Sequence, residues 1–363
     1  MSGFPWHRVF HPLCGADPLT LLRLVLRHGL PSFQGSPAYA VALATSFVRL
    51  PFTVLDLALE VLSPSRVARP VFIVGFPRSG TTHLHNLMAA SGAFATAPPV
   101  LAAMPWEART LAPVAKPFID PYLPRTRLID GVAMSPEAPT EDEVGLANLC
   151  PESYFHAVYF PRHFAREYRQ GLAGEPTPAR LRAIRRYVTA LGRRAQGRPL
   201  LLKNPAYTAQ VMALLALFPD ARVVHIHRDP RAVFASSRRA LRRTMRELAL
   251  QDFSAADIDG AVLDTYPRVM QSFREQVTKL PAGTLAEVAF EDVTADPKGT
   301  LRRLWRELAL PAPSGALRRV EAHLAETAGF VPEGGALDAP DLARLRAAWP
   351  EELRLYGRPL SAA

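Results

Sequence analysis

The chain has 363 residues and a formal charge of +10, with 48% hydrophobic and 21% charged residues, a balance that rules out extended disorder and allows a sizeable core. By length it holds either two or more average domains or one α/β core with a helical extension. Cys14 and Cys150 stand far apart with no C-x-x-C and no His at ligand spacing, so neither a disulfide framework nor a zinc site is indicated, and a reducing, cytoplasmic compartment is expected.

The positive charge comes from arginine. Only Lys116, Lys203, Lys279 and Lys298 are lysines among 43 basic residues, so a lysine at a chemically useful position is informative. The charge fits an anionic partner such as nucleic acid, a membrane surface or a phosphorylated small molecule, and does not choose among them.

Residues 1–66 read as helices broken by prolines, an N-terminal helical extension ahead of an α/β domain over residues 67–363. No basic n-region followed by a long apolar run opens the chain. Tyr39 to Leu62 is strongly apolar, but Arg49, Pro51 and Asp56 interrupt it, which predicts a helical hairpin packed on the main domain rather than a membrane span. Peripheral contact of these helices with a membrane surface or a partner stays open. Ser63 to Pro70, with two serines and two prolines, reads as the connector.

The core then begins at VFIVGFPRSGTTHLH, residues 71–85. Val71 to Gly75 predicts a strand buried on both faces, and Thr81 to Ala90 has helical spacing. Gly75 and Gly80 supply the G-x-x-x-x-G half of a phosphate loop. Where that motif has Lys and then Ser or Thr, the chain has Thr81 and Thr82, and Arg78 stands inside the turn. Backbone N–H groups of such a turn and the dipole of the following helix hold an anion without lysine. In nucleotide triphosphate enzymes the lysine and hydroxyl serve terminal phosphates and Mg²⁺, so the loop suits an anion that carries less charge and needs no metal.

Phe94 to Ala97 predicts a second strand, and the proline-rich stretch to Pro124 reads as lid rather than core. Thr140 and Glu143 form a capping box that opens a helix at Val144. Leu200 to Lys203, a helix over about 206–218, and Arg222 to His227 make a strand, helix, strand unit of the kind that builds parallel sheets. Glu287 to Phe290 predicts a later strand and Pro297 to Leu308 a helix, while the arginine-rich runs Arg182 to Arg194 and Arg238 to Arg246 read as helix faces. The expected fold is α/β: a P-loop-type three-layer fold with a central parallel sheet.

In VVHIHRDPRAVFASS, Arg228 follows a strand end, Asp229-Pro230 starts a helix, and Ser236 stands eight residues after the arginine. Arg228 and Ser236 are therefore candidates to clamp a second phosphate. Together with Arg78, Ser79, Gly80, Thr81 and Thr82 they describe a ligand with two separated phosphate groups. His225 and His227 alternate on the strand, where a satisfied core histidine is the plainer reading.

The pair PRSGTT and RDPRAVFAS resembles the two nucleotide-binding motifs of the sulfotransferase superfamily, and LLKNP, APTEDE and FEDVTADP are similar to elements of its bacterial branch. The likeness covers roughly residues 70 to 310. It implies that the first loop holds the 5′-phosphosulfate of 3′-phosphoadenosine 5′-phosphosulfate (PAPS) and the second motif its 3′-phosphate, with a small-molecule or lipid-like hydroxyl acceptor and no metal. Lys203 in LLKNP, at a strand end where open α/β sheets place ligands, matches the catalytic lysine in a similar turn of tyrosylprotein sulfotransferases, which implies a charge-stabilising role.

The general base is not carried over, because Pro98 and Pro99 stand near the place where the tyrosylprotein branch has its glutamate. Glu141 and Asp142 remain the candidates, with Glu107 and His85 as outsiders. Neither a nucleic-acid partner nor an oligomeric state is indicated. Two other classes stay open: a nucleotide-dependent kinase or phosphohydrolase, which requires a Mg²⁺-binding hydroxyl and a second carboxylate, and a catalytically silent nucleotide-binding scaffold.

Overall fold

A computed structural model describes residues 10–63, 67, 69–123, 126, 135–328 and 337–357. Its centre is a parallel sheet of β1 (Val71–Val74), β2 (Leu201–Lys203), β3 (Arg222–His227) and β4 (Leu285–Ala289) in the order β2-β1-β3-β4. Apolar runs without polar alternation form these strands because both faces are covered. Phe72, Val74, Leu202 and Val223 point to one side, with Tyr207, Ile184 and Phe273. Val71, Ile73, Leu201, Val224 and Ile226 point to the other, with Leu84, Leu87 and Leu304.

The helices follow in chain order. The extension holds α1 (Pro18–His28), capped by Asp17, and α2 (Ser36–Leu62). After β1 come α3 (Thr81–Ala90), α4 (Pro99–Ala103), α5 (Leu111–Ile119), α6 (Asp142–Leu149), α7 (Tyr154–Tyr159), α8 (Phe164–Ala173) and α9 (Pro178–Gly192). α10 (Val211–Leu217) lies between β2 and β3, and α11 (Pro230–Leu248) and α12 (Ile258–Val277) lie between β3 and β4. The chain then runs through α13 (Phe290–Ala295), α14 (Pro297–Glu307), α15 (Ala316–Thr327), α16 (Ala339–Ala348) and α17 (Pro350–Tyr356). The P-loop-type α/β fold expected from the sequence is thus present, with more helix than the strand count suggested.

Several local expectations change. Tyr39 to Leu62 is not a hairpin but part of one 27-residue helix that continues through Pro51. Pro51 stands on the exposed side, where the carbonyl it deprives of a partner stays near solvent, and Arg49 and Asp56 turn inward to partners on the body. Phe94 to Ala97 contributes a single parallel bridge, Ala95 opposite Leu200, instead of a strand. The helix expected over 206–218 begins as a 3-10 turn, Pro205–Gln210. The capping box fails too: the helix starts at Asp142, Thr140 Oγ1 bonds the Ala138 carbonyl, and Glu143 is engaged elsewhere.

The extension does not keep its own core. Leu13, Leu21, Leu24 and Ala42 share one buried cluster with Phe160 just after α7, Tyr168 of α8, Phe234 of α11 and Tyr266 of α12.

Candidate active site

β1 delivers the phosphate loop at the C-terminal end of the sheet. Gly75 has φ 150°, and a Cβ there would come within 2.3 Å of the Ile226 carbonyl oxygen, so only glycine lets the loop leave β1 so close to β3. Its N–H donates to Thr208 Oγ1 at 2.8 Å. Gly80, at φ 95°, is the residue before α3, and a Cβ there would strike the Phe290 ring at 2.3 Å. Between them Arg78 adopts φ 74°, the left-handed conformation that a non-glycine residue keeps only when its surroundings demand it. No side chain caps α3, and Gly80, Thr81 and Thr82 at its N-terminus line the cavity described below.

The second motif meets the first directly. Arg78 Nε donates to Ser236 Oγ at 3.0 Å, joining the loop to the second turn of α11. Asp229 caps that helix by accepting from Arg231 N at 2.9 Å. Arg228 leaves the end of β3 with its guanidinium 4.4 Å above the Phe290 ring. Burial lowers its pKa, Glu291 opposes that shift and the Arg78 charge adds to it. Phe290 therefore touches both phosphate motifs, packing on Gly80 and under Arg228.

These groups face a cavity of about 1040 Å³. Arg78, Arg228 and Ser236 line it together with the apolar Phe94, Phe155 and Val158 and with Glu141 and Tyr154. A void of this size, with two arginines, a helix N-terminus and a glycine-tight loop, fits a nucleotide with separated phosphates.

The three acids of TEDE are sorted into three environments. The Glu141 carboxylate lines the cavity, takes the Lys203 ammonium on Oε2 and accepts from the Tyr154 hydroxyl on Oε1. Lys203, at the last position of β2, is 1% exposed, so it lies behind Glu141 as seen from the void. Asp142 is fully buried and does not line the cavity; burial holds its carboxyl well above the usual aspartate range, with the Lys203 charge opposing. Glu143 is a buried structural acid, bound to Arg180 at 3.0 and 2.5 Å and to Asn204 Nδ2 at 2.5 Å.

The outsiders lie away from the cavity. Glu107 is buried under α2 against Arg49 and Thr53. His85 is buried on α3. His225 is also buried, with Nδ1 2.7 Å from Glu287 and its ring 4.0 Å from that of Phe273. Ser79 is buried in the loop, where its N–H donates to the Phe76 carbonyl at 3.0 Å.

Sequence reading missed Tyr154, Phe290, Arg239 and Arg243, all of which line the cavity. Arg239 and Arg243 stand three and seven residues after Ser236, so helical spacing alone places them on its face. Phe290 is the first residue after β4, as Arg228 is after β3. Tyr154 left no sequence signal; only the fold brings α7 to Glu141.

The chain is thus an α/β protein of the P-loop type, with two candidate anion motifs at the C-terminal edge of its sheet over one cavity. Residues 70–314 match the family model described as "Sulfotransferase family", and the chain belongs to that family. It is 27% identical over 300 residues to the omega-hydroxy-beta-dihydromenaquinone-9 sulfotransferases Stf3 of Mycobacterium bovis and Mycobacterium tuberculosis, across 79% of this chain and 76% of theirs. Among solved structures its fold is similar to sulfotransferase STF9 of Mycobacterium avium (TM-score 0.71, 17% identity, 96% of this chain and 98% of that one). It is also similar to STF1 of M. tuberculosis H37Rv (TM-score 0.60, 21% identity, 91% of each chain).

Proposed function

We propose that the chain, as a helical extension over residues 1–66 on an α/β domain over 67–363, moves the sulfuryl group from PAPS to a hydroxyl of a lipophilic small molecule. Arg78 and the amides of Gly80, Thr81 and Thr82 hold the 5′-phosphosulfate, with Ser79 closing the turn beneath them, and Arg228 with Ser236 holds the 3′-phosphate. The observation that carries the reading is the 3.0 Å contact of Arg78 with Ser236 at one cavity, because it brings residues of the two candidate phosphate motifs together on a single void. The apolar side chains of Phe94, Phe155 and Val158 in the cavity lining support a lipophilic acceptor, as does the dihydromenaquinone derivative named for the Stf3 relatives. Unpaired Cys14 and Cys150 fit a cytoplasmic location.

Glu141 is the base in this reading, and Asp142, buried off the cavity, is not. Glu141 takes the acceptor's proton as the acceptor oxygen bonds to sulfur and the bond from sulfur to the bridging phosphate oxygen breaks. Lys203 pairs with Glu141 beforehand. Once Glu141 is protonated, the ammonium is left without its counter-charge and answers the negative charge that grows on the bridging and sulfuryl oxygens. Calorimetry tests the donor assignment: 3′,5′-adenosine bisphosphate binds more tightly than ADP without added metal. Tighter binding of ATP that depends on Mg²⁺ overturns it.

A further inference from the structure

α2 is built inside out. Its polar residues face the protein: Arg49 binds Glu107 at 2.5 Å and the Ala16 carbonyl at 2.6 Å, Asp56 accepts from the backbone N–H groups of Arg109 and Thr110, and Glu60 pairs with Arg186 at 2.5 Å. Its outer side carries Phe47, Val48, Leu50, Phe52, Val54, Leu55, Leu57, Val61 and Leu62, all exposed. α1 and the segment after it add Leu19, Leu22, Leu26, Leu30 and Phe33. Among the described residues from 10 to 63, Arg23 is the only charged side chain in the exposed class. Scattered surface leucines need no explanation, whereas a continuous apolar face on one extension marks an interaction site.

The rim of this face is cationic. Arg23 sits within the Leu19, Leu22 and Leu26 stripe of α1. Beyond the C-terminal end of α1, exposed Arg162 packs its guanidinium 2.5 Å from where a Gly29 Cβ would stand, and exposed Arg166 joins Arg27 on Glu167. At the far end of α2, Arg193 donates to the carbonyl and hydroxyl of Ser63, with exposed Arg194 beside it in sequence. Apolar side chains flanked by arginines match the boundary between acyl chains and anionic headgroups. A second copy of the chain would bring the same arginines against one another.

We propose that α1 and α2 dock the protein on an anionic lipid bilayer, with α2 lying in the plane of the interface. α2 has the length and hydropathy to cross a membrane. Crossing would nevertheless tear Arg49 and Asp56 from their buried partners and carry them into hydrocarbon, so the helix lies on the surface instead.

Co-sedimentation with phosphatidylcholine vesicles, with and without an equal share of phosphatidylglycerol, tests this on the full chain. The protein should partition onto the anionic vesicles roughly tenfold or more over the neutral ones, and salt should reduce the difference. Val48→Glu with Leu55→Glu should lower anionic binding by about tenfold or more, and Phe33→Ser, at a side chain 94% exposed, should lower it in the same direction by less. Arg23→Glu with Arg162→Glu should abolish the preference for phosphatidylglycerol. Unchanged bisphosphate affinity certifies the fold of each variant. Equal partitioning of the parent and the apolar variants overturns the proposal, as does a parent that ignores vesicles and forms a dimer that Val48→Glu with Leu55→Glu dissociates.

Discussion

In the cavity, Arg78, Arg228, Ser236 and Glu141 turn toward a void and apolar side chains pack behind them. In the extension the order is reversed: Arg49, Thr53 and Asp56 of α2 are buried against the body while phenylalanines and leucines face outward. Both segments put polar groups on one side of a backbone element. What separates them is the destination of the charge. The extension's charges end on Glu107, Arg109 and Arg186, so they hold the chain together, whereas those of the cavity surround space for a ligand.

The largest effects should separate chemistry from architecture. If Glu141 is the base, Glu141→Gln lowers kcat by on the order of 10²- to 10⁴-fold while bisphosphate affinity stays within a few fold, as single-turnover transfer from labelled donor will show. Lys203→Ala should lower kcat by about a hundredfold while bisphosphate affinity stays within a few fold, as for the loss of one preorganised charge-stabilising donor. A purely structural lysine would leave kcat near that of the parent. Near-normal turnover of both variants would pass the chemistry to another residue.

Across the comparison, Glu107→Ala should act on stability alone. It leaves the Arg49 guanidinium buried without its carboxylate, a change that costs about 3–5 kcal/mol when a buried pair is broken on one side. Urea unfolding reads the loss, and bisphosphate affinity of the folded fraction should not change. A weakened affinity would mean that the two regions are not separate.

The same contrast explains what the sequence made legible. The phosphate loop could be read because Gly75, Gly80 and the apolar run of β1 determine its geometry locally, within ten residues of chain. The second clamp was legible because helix spacing carries Ser236 to Arg228's end of the sheet. By contrast, the three acids of TEDE differ only in which distant groups they meet: Lys203, the interior, or Arg180. No local pattern distinguishes them, and the capping box was the wrong local explanation for Glu143. α2 failed for a similar reason. Arg49, Pro51 and Asp56 looked like interruptions of a helix, while the partners that let it continue lie 33 or more residues away.

A smaller effect tests the cavity side. Charge-assisted hydrogen bonds are worth about 1.5–3 kcal/mol, so Arg228→Ala should weaken 3′,5′-adenosine bisphosphate by roughly tenfold to a hundredfold and barely change 5′-AMP. Titration calorimetry with both nucleotides checks this. Equal losses would remove Arg228 from the 3′-phosphate and make it a general anchor for Phe290 and the loop.

The smallest effect lies where the two regions join. His11 precedes the turn Pro12–Gly15, with Nδ1 accepting from Leu13 N at 3.1 Å and Nε2 3.0 Å from the carbonyl of Leu248, the last residue of α11. That arrangement fixes a neutral ring with its proton on Nε2, and a second proton on Nδ1 would face the Leu13 N–H. Burial is the main cause that lowers the His11 pKa to about 4, from 6.5 in the unfolded chain. The unfolded chain therefore binds more protons between these values, so this contribution to stability is whole above pH 6.5 and falls as the pH drops toward 4. One unit below 6.5, at pH 5.5, the loss is about 1.4 kcal/mol. Urea unfolding of the parent and of His11→Gln at pH 7.5 and at pH 5.5 measures it, with the variant's stability changing less between the two by about that amount. If the two slopes match, the ring has the same pKa folded and unfolded, and the buried seam between the extension and α11 does not hold it neutral.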